Sequence, residues 1–115
     1  MGVWEQNPAR ARVKLTAAGS VTAFASLTQA AWVLQAGVIG WANAVNSCTI
    51  SLYEINATNS SPFFVFMTSA TSGFYNFSLG EHGVQASSSY ASRMIFNVGQ
   101  AGTYSGMFSG YYTGV

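Results

Sequence analysis

Residues 30–45 read AAWVLQAGVIGWANAV, and the hydrophobic period assigned to them decides the fold. Phe24, Leu27, Ala31, Leu34, Val38, Trp41 and Val45 recur at steps of three and four, the seam of a long helix. Trp32, Val33 and Ile39 lie off that seam, Gly37 and Gly40 interrupt it, and no charge flanks it, so the helix would be apolar all round. Read with period two, Val21, Ala23, Ala25 and Leu27 alternate with their neighbours, as do Trp32, Leu34, Ala36 and Val38. Strands are the favoured reading, with a short alanine-rich helix within 20–31 as a permitted departure.

The same stretch is apolar enough to be weighed as a membrane span. A spanning helix needs about 20 predominantly apolar residues. Extending this one brings in Thr28, Gln29, Asn46 and Ser47, and Gln35 and Asn43 already lie inside. A small membrane protein is therefore the third reading of the chain. A cleaved leader fits no better, because no compact apolar core ends at a small-x-small site.

Downstream the pattern sharpens. Cys48, Ile50 and Leu52 alternate with Thr49, Ser51 and Tyr53, a strand with one packed face. A turn is predicted over Asn56–Pro62, then a strand over Phe63–Thr68 (FFVFMT) buried on both sides. Further strands are expected at Gly73–Leu79, Tyr90–Val98 and Thr103–Tyr112, with reversals at Gly80–Gly83 and Gly99–Gly102. The count is about eight antiparallel strands, an all-β sandwich of jelly-roll type. The core cannot take every ring. Trp41, Tyr53, Tyr75 and Tyr111 are placed outside it, as candidates for an oligomer interface or for stacking on glycans.

Upstream, Met1–Ala11 (MGVWEQNPARA) shows no sustained hydrophobic period, and Arg10, Arg12 and Lys14 supply three of the chain's four Lys and Arg residues. Residues 1–14 are therefore expected to form an extended N-terminal arm ahead of a sandwich domain over 15–115. Trp4 as an apolar anchor and Arg10, Arg12 and Lys14 as cations would dock it on an acidic neighbour.

Charge is the scarcest commodity in the chain. Of 115 residues 6% are charged, against about 25% in an ordinary soluble domain. So little charge of either sign gives little mutual repulsion, and such a surface suits lipid or a permanent assembly in which subunits cover one another. The single Cys48 excludes an internal disulfide.

Chemistry finds few carriers. His82 is the one histidine, there is no Asp, and the three Glu residues are Glu5, Glu54 and Glu81. Glu81 and His82 sit where a turn is predicted rather than in a triad, Cys48 lies on the apolar phase of its strand, and metal sites fail on ligand count. No enzyme, metal or cofactor is expected. A specific nucleic-acid site is not expected either, since outside the arm only Arg93 is basic. Sequons at Asn56, Asn59 and Asn76 are close to what a Ser-, Thr- and Asn-rich chain holds by chance.

The basic arm, the charge-poor strands and the tail Arg93–Tyr112 (RMIFNVGQAGTYSGMFSGYY), with its Gly-Thr-Tyr step entering the last strand, resemble the small β-sandwich proteins of tailed-phage virions. The likeness is to capsid decoration or cement proteins and to fibre domains, and it covers about a fifth of the chain. It implies a non-enzymatic homo-oligomer, often a trimer, on the capsid surface, bridging subunits of the major capsid protein. A receptor- or glycan-binding sandwich from a fibre or a secreted lectin is the second expectation.

Overall fold

The computed structural model describes residues 7–25, 30–44, 48–55, 60–68, 70–86 and 92–114. Ala30–Ala42 is one strand of 13 residues, and it is the centre of a sheet. The strands are β1 (Asn7–Leu15), β2 (Gly19–Ala25), β3 (Ala30–Ala42), β4 (Thr49–Ile55), β5 (Ser60–Met67), β6 (Gly73–Ser78), β7 (Val84–Gln85), β8 (Arg93–Val98) and β9 (Thr103–Gly114). No helix occurs among the described residues, so the helical seam is not used. The short helix allowed for 20–31 is also absent up to Ala25, where β2 stands; residues 26–29 lie outside the described residues.

The strands form two antiparallel sheets. Sheet A has the order β1-β9-β3-β6 with β7 also pairing β3, and sheet B the order β2-β8-β4-β5. The path is one long hairpin rolled up: β1 pairs β9, β2 pairs β8, β3 pairs β6 and β4 pairs β5. The roll is closed by β3 against β9 and β4 against β8. Phe24 on Trp32 (ring centroids 6.2 Å) and Phe96 on Phe108 (5.9 Å) join the two sheets across the core. Cys48, Ile50 and Leu52 point inward, as their alternation predicts.

Three expectations need correction. The arm does not stand free from Asn7 onward: β1 runs antiparallel to β9 with Arg10 opposite Ser109, Arg12 opposite Met107 and Lys14 opposite Ser105. Its reason lies in a period-two pattern that starts only at Ala9. Ala9 and Val13 are buried and Ala11 and Leu15 pack on the core, so the three cations stand on the other face. The sandwich thus takes in residues 7–14 of the expected arm; Trp4 lies outside the described residues.

The second correction concerns the phase of β3. Register shifts between Leu34 and Ala36, leaving Gln35 as the extra residue of a bulge. Trp32 and Leu34 point inward as expected, but beyond the bulge the faces exchange. Ile39 is then fully buried and Val38 is 45% exposed. Gln35 turns outward, its amide donating to the Glu81 carbonyl at 3.0 Å while its own carbonyl accepts from the Leu79 amide at 2.7 Å.

The third is β5. It is an edge strand with one packed face rather than two: among the described residues β4 is the only strand that pairs with it, and Val65 and Met67 on its outer side are exposed. Phe64 and Phe66 face the other sheet, whereas Val65 and Met67 are exposed. Pro62, opposite Tyr53 at a second register shift, suits an edge position that requires no further ladder bonds.

Candidate interaction surface

Residues opposite each other in a sheet share a face, so the register of sheet A writes out its outer surface. One row runs Arg12, Met107, Val38, Asn76; a second Arg10, Ser109, Ala36, Ser78; a third Lys14, Ser105, Gly40, Phe74. The first two rows carry a groove of about 710 Å³. Its basic wall is Arg10 and Arg12 on β1, its far wall Asn76 on β6, and between them small Ala36 and Ser109 dip beside the exposed Val38 and Met107. The β3 bulge creates this surface, for without it Val38 would point into the core.

The cations on this face have no acidic partner among the described residues. Arg12 directs Nη2 toward the Met107 sulfur at 3.7 Å, a weak acceptor that leaves a guanidinium's hydrogen-bonding capacity largely unused. The only acids in the described residues are Glu54, which accepts from the Ser92 hydroxyl at 2.8 Å on the side of sheet B, and Glu81 in the turn after β6.

The four aromatic candidates do not form one site. Trp41 and Tyr75 both meet Phe66, at ring distances of 5.8 Å and 5.1 Å, in a cluster where the edges of the two sheets face each other. Trp41 is half-buried and its indole N–H donates to the Ala70 carbonyl at 3.1 Å, so one edge of the ring is already committed. Tyr53 stands apart in the outer row Thr22, Ile95, Tyr53, Pro62 of sheet B. Tyr111 is elsewhere again, its hydroxyl donating to the Glu81 carbonyl at 3.4 Å. Exposed residues that pattern reading did not single out are Phe74 (73%), Met67 (62%), Val65 (59%) and Met107 (52%). Their only sequence signal is alternation with core residues, and which phase is outward depends on pairing.

The titratable groups that invite chemistry are scattered. Glu81 and His82 are exposed in a turn, and Cys48 is enclosed beside Tyr104. The Tyr104 hydroxyl donates toward the Gln100 and Ala101 carbonyls, each at 3.1 Å, and lies 3.0 Å from Cys48 Sγ. Burial, reinforced by the neighbouring thiol, pushes the Tyr104 phenol up from 10.0 to about 12. Burial also raises Tyr112, whose hydroxyl donates to the Ala25 carbonyl at 3.0 Å. A phenol held protonated in the fold binds its proton more tightly than in the unfolded chain. This contribution is therefore full below pH 10 and is lost as pH climbs toward 12. Stability followed by urea titration is expected to fall across that window. Tyr104→Phe should cost about 1–2 kcal/mol at pH 7 and flatten the alkaline fall; an unchanged slope would mean that Tyr104 is not the group responsible.

No protein-family model matches the chain, and no curated protein matches it. No helix among the described residues is long and apolar enough to cross a membrane.

Proposed function

We propose that this chain is a structural virion protein of the capsid decoration or cement type, a non-enzymatic homo-oligomer that sits on the capsid surface and bridges subunits of the major capsid protein. The observation that carries the reading is the large apolar exposure of a nearly uncharged sandwich. Phe74 and Met107 stand out from sheet A and Val65 and Met67 from sheet B, in a chain with four cations and three acids. A free subunit with such a surface is poorly protected against association, whereas a subunit of a permanent assembly buries it. An all-β chain of two antiparallel sheets, whose pairing follows one long hairpin rolled up, is compatible with the jelly-roll architecture that recurs in capsid proteins, and this supports the reading at the level of architecture alone.

In this proposal copies pack through the neutral surfaces, and the basic row Arg10, Arg12, Lys14 turns to the coat. Light scattering of the purified chain is expected to give one defined oligomer, a trimer, at micromolar concentration. A monomer that stays monomeric at millimolar concentration overturns the reading. Replacing Arg10, Arg12 and Lys14 together by Ala should lower particle occupancy about tenfold at moderate salt, three partly screened charge pairs at roughly 0.5 kcal/mol each. Unchanged occupancy would remove the basic row from the docking surface.

A second reading rests on Trp41 and Tyr75 being gathered around Phe66. A receptor- or glycan-binding sandwich would use such rings as a platform. Glycan-array binding that is lost in Trp41→Ala would favour it over the first.

A further inference from the structure

The groove on sheet A joins features that the stability of the sandwich does not require. It opens to solvent, it has a basic wall of two arginines at one end and Asn76 at the other, and the large apolar side chains exposed between them are Val38 and Met107. A guanidinium resting on a methionine sulfur is available to a better acceptor, and a carboxylate gives a stronger, charge-assisted pair. A second copy of this chain is a poor source of that carboxylate. Glu54 lies on the side of sheet B and Glu81 in the turn after β6, so no face formed by the described residues presents two acids together.

Dimensions narrow the occupant further. The groove crosses four strands about 4.8 Å apart, hence roughly 14 Å, which is about four residues of extended chain. Arg10 and Arg12 are two residues apart on one strand, about 7 Å, so they flank one end of the groove and can grip two successive carboxylates. Of the rings beneath the groove, Phe108 is buried and Phe77 packs against the core, and the exposed Val38 and Met107 offer no ring on which a base would stack, which disfavours single-stranded nucleic acid.

We propose that this groove receives an extended segment of another protein, acidic at one end and small or apolar beyond it. Its carboxylates pair with Arg10 and Arg12, displacing Arg12 from Met107, and its following side chains lie over Ala36, Val38 and Met107 toward Asn76. The occupant is the docking partner of the structural reading above, and the inference rests on that reading for its biological setting.

The test is fluorescence anisotropy with the full chain at low salt. The probe is a fluorescein-labelled hexapeptide of two glutamates followed by alanine, valine and two alanines; its counterpart with two lysines is the control. Saturable binding of the acidic probe alone is expected, at about 10–100 μM for so short a segment. Arg10→Ala with Arg12→Ala should weaken it at least tenfold. Ser109→Trp, which fills the groove from an exposed position and leaves every charge in place, should do the same, and Asn76→Trp repeats the steric test from another strand. Absence of binding at 1 mM probe, full affinity in the double arginine variant, or full affinity in both tryptophan variants overturns the proposal. So does displacement of the probe by an oligothymidylate at lower concentration than by unlabelled peptide, which would make the groove a nucleic-acid site. An oligomer that ignores the peptide overturns this inference and leaves the structural reading standing, while a monomer that binds it does the reverse.

Discussion

Gly110→Ala is expected to cost at least about 3 kcal/mol, a large share of the roughly 5–15 kcal/mol that holds a domain of this size together. Gly110 lies opposite Leu34, beside the β3 bulge. A Cβ there would overlap the Val33 carbonyl oxygen and stand 3.2 Å from Leu34 Cα. None of these atoms is the end of a flexible side chain, so relief would require the central pairing of sheet A to move apart. The urea midpoint should drop by more than about 1 M with little change in slope. A midpoint shift within about 0.3 M would mean that β3 and β9 do not meet in this register. Because the same bulge sends Val38 outward and Ile39 inward, the measurement also bears on the groove.

Trp32→Ala is expected to cost about 3–5 kcal/mol, the usual range for deleting a large buried aromatic ring. Trp32 has no exposed surface and spans the sandwich, with Phe24 of β2 and Phe63 of β5 each 6.2 Å from its ring. Its indole N–H is nonetheless a buried donor with no hydrogen-bond partner among the described residues. Trp32→Phe should therefore cost clearly less, about 1–2 kcal/mol, since the smaller ring removes a desolvated donor along with the lost volume. Denaturation of the two variants side by side checks this. If Phe proves as costly as Ala, shape rather than burial dominates at this position.

Much of the sandwich is legible in local pattern. β4 follows from Cys48, Ile50 and Leu52, and the turn holding Glu81 and His82 from its flanking glycines, because alternation and glycine spacing report burial and reversal directly. β7 was not, as two residues carry no period. β1 was obscured by the polar run before Ala9, and the outward side of β5 by its unbroken apolar character. Of the candidate site, Arg10, Arg12 and Lys14 were visible as a cluster of charge. Val38, Met107 and Asn76, which complete the groove, were not, since nothing local distinguishes an outward valine from an inward one.

Composition and period-two patterning alone favour an all-β chain and establish its scarcity of charge, because each strand's alternation and each residue's polarity are properties of short stretches. The tertiary structure alone decides that β1 lies along β9, about a hundred residues away in the chain, and that Gln35 bulges and reverses the faces of β3. Both depend on how backbones from distant segments fit beside one another, and together they set two arginines next to an exposed valine and methionine.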